Sequence, residues 1–81
     1  MPKAKTKKIK GWKARRVRLL ARRSEIASTQ EEVAARSGLK QEYVSKIEGG
    51  TAHATTYETR VRLAKGLNMS LDEVVALLEG S

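Results

Sequence analysis

Apolar residues recur every three or four positions in five separate stretches of this 81-residue chain. That period places side chains on one face of an α-helix, and no stretch shows the strict alternation typical of a β-strand. The pattern therefore predicts five helices, each with one face turned toward a common core. In chain order the predicted inward residues are Val17, Leu20, Ala21 and Ser24; Val33 and Ala34; Leu39, Val44 and Ile47; Tyr57, Val61, Ala64 and Leu67; and Leu71, Val74, Val75, Leu77 and Leu78.

Three of the predicted helices open on a hydroxyl residue that is followed three positions later by a glutamate. This spacing matches a capping box, in which the hydroxyl and the carboxylate each accept a hydrogen bond from a free backbone N–H group. Glycines supply the matching stop signals, because a helix often ends on a residue with left-handed backbone geometry. The predicted boxes are Thr29 with Glu32, Thr55 with Glu58 and Ser70 with Glu73, and the predicted stops are Gly38, Gly49 with Gly50, and Gly80.

These boundaries predict an all-α fold, a compact five-helix domain over residues 12–81 with short connections. Residues 1–11 are lysine-rich, contain Pro2 and Gly11, and lack a helical apolar period. We predict a basic disordered arm there. Trp12 begins the first helix, and we expect it to pack against the first or last helix rather than to stack on a base.

Charge separates the two ends of the chain. The net charge is +8, and eleven of the seventeen basic residues lie in residues 1–23, where there is no acid. Residues 24–81 hold six basic and nine acidic residues, a balance of 6 − 9 = −3. A basic segment on a small domain suits a polyanion, and nucleic acid is favoured over anionic lipid because the arm has little apolar surface beyond Ile9 and Trp12. The alternative is a solubilising tail.

Several classes of function lack the residues that they require. The chain has no cysteine and one histidine, His53, so we expect no disulfide and no metal site. No apolar run is long enough for a membrane span or a signal peptide, and we expect a cytoplasmic protein. No nucleophile–base set or phosphate loop is present. We therefore expect neither enzymatic activity nor a cofactor.

The segment from Thr29 to Glu48 has the organisation of a helix-turn-helix. Two short helices are joined at Gly38, which can reverse the chain within a few residues. Ala34 is small enough to let the two helices approach closely. The second helix is predicted to present four polar side chains to solvent, and glutamine and lysine are side chains that read base edges in a DNA major groove. These four candidates are Gln41, Glu42, Ser45 and Lys46.

The chain resembles the phage-repressor and Cro type of helix-turn-helix proteins, the Xre-like family, over about residues 15–79. The resemblance rests on several motifs taken together: Thr29-Gln30-Glu31-Glu32-Val33-Ala34; Gly38-Leu39; Tyr43-Val44-Ser45-Lys46-Ile47-Glu48-x-Gly50; Leu63-Ala64-Lys65-x-Leu67; and Ser70-Leu71-Asp72-Glu73-Val74. It implies a lambda-repressor-like fold and a transcriptional regulator that binds palindromic operator DNA as a homodimer. The recognition helix would span about residues 41–48.

The resemblance also implies roles for individual residues. Bases would be read by Gln41, Glu42, Ser45 and Lys46, whereas Gln30 would contact a phosphate and brace the recognition helix. Other backbone contacts are expected at Lys40, Tyr43, Gly50 and Thr51, and at the arm residues Lys7, Lys8 and Lys10. The dimer interface is expected at Val74, Val75, Leu77 and Leu78, because the last helix has more apolar surface than one small core needs. We expect Glu48 to be structural.

Some alternatives stay open from the sequence. Glu42 either accepts a hydrogen bond from a cytosine amine or pairs with Lys46 one turn along the helix. The chain could instead be an antitoxin-type interaction module that neutralises a partner toxin and regulates its own operon. A third reading is a basic domain that binds RNA or bridges to a protein partner such as a polymerase.

Overall fold

The computed structural model describes residues 8–80, and within that range it contains five α-helices and no strand. The helices are α1 (Trp12–Glu25), α2 (Gln30–Ser37), α3 (Gln41–Gly49), α4 (Tyr57–Leu67) and α5 (Leu71–Glu79). The predicted number and order of the helices are confirmed. Residues 1–7, most of the predicted arm, lie outside the described residues. No helix within residues 8–80 is long and apolar enough to cross a membrane.

The helices pack around one core, with α1 against α3 and α5, α2 against α3 and α4, and α4 against α5. The most deeply buried large side chains come from all five helices, so no helix can leave without opening the core. These side chains are Leu19, Ile47, Leu63, Leu67, Val33 and Val74. Fully burying a side chain of this size contributes about 1.5–3 kcal/mol to stability.

The capping boxes at Thr29 and Ser70 are both confirmed. The hydrogen bonds that Glu73 accepts, from the Ser70 backbone first and then its side chain, lower the pKa of the Glu73 carboxyl. The box at Thr55 is wrong by one residue. Thr56 is the cap of α4, and its hydroxyl accepts the amide of Thr59, so two adjacent threonines competed for one cap.

The predicted inward face of α4 is only partly right. Ala64 and Leu67 are buried as expected, together with Leu63, but Tyr57 is 73% exposed and Val61 is 39% exposed. The helix starts later than predicted and is turned so that its N-terminal apolar side chains face solvent. They form an unburied apolar surface on α4.

The predicted inward face of α1 is wrong. Val17 is 66% exposed, whereas Leu19 and Arg15 are 2% and 6% exposed. The inward face therefore runs through Arg15 and Leu19. Arg18 and Arg22 also turn toward other helices, where they donate to backbone carbonyls. An arginine can occupy an inward position where its guanidinium meets unpaired carbonyl groups, which an apolar pattern cannot indicate.

The expected dimer interface on α5 also needs correction. Val74, Leu77 and Leu78 are 0%, 9% and 9% exposed within the single chain, so their side chains complete its own core. Val75 is half-buried and packs against that core. The apolar face of α5 fills the core that α1 leaves incomplete, because Leu19 is the one buried apolar side chain that α1 contributes.

Gly66 allows α4 to lie close against α2. A β-carbon at Gly66 would stand 2.6 Å from the carbonyl oxygen of Val33 and 2.9 Å from the β-carbon of Ser37. We predict that Gly66→Ala lowers the free energy of unfolding by about 1–3 kcal/mol, because backbone and core atoms must shift. Urea unfolding measures this.

Gly49→Ala is the matched control. Gly49 is also helical, and a β-carbon there meets nothing within 4 Å. Alanine has the better helix propensity, so the control should be neutral or stabilised by up to about 1 kcal/mol. Equal losses for the two variants would contradict close packing at Gly66.

Candidate nucleic-acid interface

The two helices of the predicted motif meet through the turn at Gly38. Gly38 has a φ of 76°, a left-handed geometry that glycine adopts without strain, and its amide donates to the carbonyl of Ala34. Leu39 donates its amide to the same carbonyl and turns partly inward. The chain therefore reverses within three residues, and α3 starts at Gln41.

One face of α3 is buried and the other is free. Val44, Ile47 and Glu48 face inward, and Tyr43 is half-buried against the core. The four predicted base readers, Gln41, Glu42, Ser45 and Lys46, are all exposed. Their side chains thus lie together on the open face of one helix, which is the arrangement that a groove-binding helix requires.

Glu48 anchors α3 from behind. Its carboxylate is 3% exposed and accepts two hydrogen bonds from Arg23 of α1, from Nε at 2.7 Å and from the second guanidinium nitrogen Nη2 at 3.2 Å. Gln30 of α2 donates to the same carboxylate at 2.8 Å. The prediction that Glu48 is structural is confirmed, and three helices are joined at one buried charge.

Gln30 does brace the recognition helix, as the resemblance implied, through this hydrogen bond to Glu48. One N–H of its side-chain amide is taken by Glu48, so a phosphate contact at this residue would use the other amide N–H or the backbone N–H in the first turn of α2. Free N–H groups at a helix N-terminus suit an anion. The phosphate contact itself stays a prediction.

The N-terminus of α3 carries no side-chain cap. Lys40 stands at the N-cap position in extended conformation and makes no capping hydrogen bond, so the first amides of α3 lack a side-chain acceptor within the described residues. Lys40 is exposed beside them. A cation next to uncapped amides is a suitable place for a phosphate oxygen.

The expected backbone contacts at Gly50 and Thr51 need revision. The amide of Gly50 donates to Ile47 and that of Thr51 donates to Lys46 at 2.9 Å, because both close the C-terminus of α3. These donors are therefore already satisfied, and the C-terminal end of a helix is its negative pole. A phosphate contact at Thr51 would have to use its exposed hydroxyl, in place of the long 3.4 Å hydrogen bond that this hydroxyl donates to the carbonyl of Lys46.

Within the described part of the chain Glu42 and Lys46 form no ion pair, so that alternative for Glu42 is not supported. Lys8 and Lys10 are exposed, whereas Lys7 lies outside the described residues. Residues 8–80 contain no group of three histidine or acidic side chains that could hold a metal ion.

Sequence reasoning missed the site of Trp12. Trp12 packs on Gly50 at the end of α3, a contact that the apolar pattern did not predict. The same reasoning also misplaced the basic residues of α1. Arg15, Arg18, Arg22 and Arg23 all donate hydrogen bonds within the chain.

A helix-turn-helix whose second helix is braced from behind and presents free polar side chains defines a class of DNA-binding proteins. The sequence itself falls in that class. A family model described as Helix-turn-helix (HTH_3) matches residues 19–74, which is more than half of the chain. The chain belongs to this family of DNA-binding transcription regulators.

The fold is also similar to a solved structure. The crystal structure of the clp gene regulator ClgR from C. glutamicum superposes with a TM-score of 0.67, over 85% of this chain and 88% of that one. The sequence identity is 23%, so this likeness shows the fold. A search among curated proteins gave no match.

We predict that Glu48→Ala lowers the free energy of unfolding by about 3–5 kcal/mol, because it leaves Arg23 without its buried partner. Glu48→Gln should cost less, since glutamine keeps the shape but offers one acceptor where three donors converge. Chemical denaturation at neutral pH measures both losses.

Glu58→Gln is the control, since Glu58 pairs with Arg62 across one turn of α4 and is 75% exposed. An exposed pair of this kind contributes only about 0.3–0.5 kcal/mol. If Glu48→Gln were as mild as Glu58→Gln, the brace would not be holding α3.

Proposed function

We propose that this protein reads a specific DNA sequence with α3 and binds a palindromic operator as a homodimer. The observation that carries the proposal is the division of α3 into a braced buried face and a free face with Gln41, Glu42, Ser45 and Lys46. Each recognition helix would enter a major groove, and the two half-sites would lie about 34 Å apart.

Gln41 is well placed to pair with adenine and Lys46 with guanine, the partners that their donors and acceptors fit. Glu42, free of Lys46, would select cytosine through its amine and disfavour other bases. Phosphate contacts would come from Lys40, from the backbone of Gln30, and from the lysines before α1. These contacts fix the position on DNA and carry no base information.

A single observation on α4 suggests the surface through which two copies would meet. Tyr57 and Val61 are exposed on α4 and line a groove of about 530 Å³ between α2 and α4. Glu58 and Arg62 flank them on the same helix, 3.0 Å apart. Antiparallel pairing of two α4 helices would set each Glu58 against Arg62 of the second copy, a self-complementary contact suited to a two-fold dimer.

Base reading by α3 has a direct test. We predict that Gln41→Ala and Lys46→Ala each weaken binding to the preferred site by about 1–3 kcal/mol and relax discrimination at one position per half-site. The measurement is an affinity profile over all single-base variants of a site selected from random duplexes. The mutants should melt like the wild type, since exposed substitutions usually shift stability by under about 0.5 kcal/mol.

Asp72→Asn, which changes an exposed charged side chain in the first turn of α5, is the control and should leave the profile unchanged. If Gln41→Ala and Lys46→Ala also left the profile unchanged with an intact fold, α3 would not read DNA. The antitoxin-type interaction module would then become the leading explanation.

A charged side chain introduced at the apolar centre of the proposed dimer surface tests this contact. We predict that Val61→Glu shifts the monomer–dimer equilibrium toward monomer by at least tenfold, because a charge would be buried at the contact. Sedimentation with and without operator DNA measures this.

Val17→Glu is the control, since Val17 is an equally β-branched exposed residue on a different helix. It should leave association unchanged. A Val61→Glu protein that still dimerises like the wild type would exclude α4 as the interface.

A further inference from the structure

The chain segment that enters α1 is fastened to the end of α3. The amide of Ile9 donates to the carbonyl of Gly50 at 2.8 Å, and the amide of Trp12 donates to the carbonyl of Ile9 at 3.0 Å. Gly11, with a φ of 77°, turns the chain between these two bonds. Residues 8–12 therefore have a defined position beside the C-terminus of the recognition helix.

The indole of Trp12 lies directly on this junction. A β-carbon added to Gly50 would come within 2.5 Å of the β-carbon of Trp12 and 2.6 Å of its Cγ. Gly50 is itself buried, with a φ of 85°. The contact thus needs glycine at position 50 for two reasons, the space and the backbone geometry, and it ties the first helix to the last turn of α3.

Two lysines are held near the same indole. The ammonium nitrogen of Lys8 lies 4.0 Å from the ring centroid and that of Lys13 lies 5.9 Å from it. The Lys8 separation is well within the range of cation–π attraction, and the Lys13 separation is near its limit. Both lysines are exposed, and neither forms an ion pair within residues 8–80. They differ in this from Arg15, Arg18 and Arg22, which donate to carbonyl oxygens, and from Arg23, which donates to Glu48.

These charges stand next to the proposed reading surface. The carbonyl of Lys46 accepts the amide of Thr51, so Lys46 and the Gly50–Thr51 loop form one end of α3. Trp12 sits on that loop. Lys8 and Lys13 would therefore approach the sugar-phosphate backbone beside the bases that α3 contacts.

We propose that Lys8 and Lys13 form a second DNA-backbone site and that Trp12 is its positioning residue, holding both cations against the end of α3. This inference rests on the proposed function, because it adds a phosphate contact to a helix that reads bases. Duplex DNA is the occupant favoured by the geometry. The Trp12 ring is half-buried on Gly50 and the neighbouring Ile9 is half-buried too, which leaves little apolar surface for a lipid.

The test compares three variants on the preferred duplex and on a scrambled duplex, at salt concentrations between 50 and 200 mM. Lys8→Ala with Lys13→Ala should reduce the slope of log K against log salt by about 1.8, at roughly 0.9 per phosphate contact. Both duplexes should lose affinity by similar factors, since phosphate contacts carry no base information.

The decisive variant is Trp12→Ala, which removes no charge. If Trp12 positions the lysines, this variant should also flatten the salt slope, by at least 0.9, and the triple variant should lose clearly less affinity than the sum of the separate losses. An unchanged salt slope for Trp12→Ala, or strictly additive losses, would overturn the proposal.

Conservative and control variants, together with fluorescence of the wild-type protein, distinguish loss of the site from loss of the fold. Trp12→Phe retains an aromatic ring on Gly50 and should keep most of the wild-type slope, whereas Asp72→Asn, on the exposed face of α5, should keep all of it. Trp12 is also the single tryptophan of the chain, so its emission reports this site alone. Operator DNA should shield it from acrylamide in the wild type, and undiminished quenching would count against the site.

The outcomes separate this inference from the proposed function. A base-specific profile that survives with an unchanged salt slope would reject only the Trp12 site. A wild-type protein without base preference would reject the proposed function, whatever the slope.

Discussion

Arginine side chains of α1 donate hydrogen bonds to carbonyl groups at the C-termini of three other helices, and much of the structure depends on these contacts. Arg15 donates to the carbonyls of Ile47 and Ala52, Arg18 to that of Leu77, and Arg22 to that of Leu67. The last four carbonyls of a helix have no partner within it, and they form its negative pole. A guanidinium supplies several donors and a positive charge in the same place, so each arginine meets both needs.

This arrangement makes α1 the helix on which α3, α4 and α5 are aligned. It has a cost at Arg15, which is 6% exposed and whose Nε finds no acceptor within residues 8–80. Burial, and to a smaller degree the charge of Arg18, lowers the pKa of the Arg15 guanidinium. The two carbonyl contacts and the negative end of α3 offset that cost, because they favour the charged form.

The same contacts change how the net charge should be understood. Eleven basic residues lie before residue 24, and a sequence-level argument assigns them together to a polyanion. In the structure the inward arginines are used by the fold. The basic residues of the described N-terminal part that stay exposed are Lys8, Lys10, Lys13 and Arg16. Fewer N-terminal charges are therefore free to meet a polyanion than the composition implies, and within the described residues these lie before and at the start of α1.

Helix order, the capping boxes at Thr29 and Ser70, and the free face of α3 could be predicted because each depends on local spacing. The inward face of α1 could not be predicted in this way. Val17 and Leu20 are more apolar than Arg15, so an apolar pattern places them inward. Arg15 is buried because its guanidinium meets carbonyl groups at the end of another helix, which local spacing does not indicate. The cap of α4 failed because Thr55 and Thr56 are chemically equivalent candidates. The burial of Val74, Leu77 and Leu78 within the single chain could not be predicted either, because it depends on how few apolar side chains α1 buries, and tertiary packing sets that balance.

The division of α3 has a consequence for how such a domain can change its target. Lys46 and Glu48 are two residues apart, yet one points to solvent and the other joins α1, α2 and α3 at a buried carboxylate. Side chains two positions apart on a helix face different directions, so Glu48, which holds α3, and the exposed residues proposed to read bases lie on different faces. The reading face can therefore vary while the brace at Glu48 keeps the helix in place.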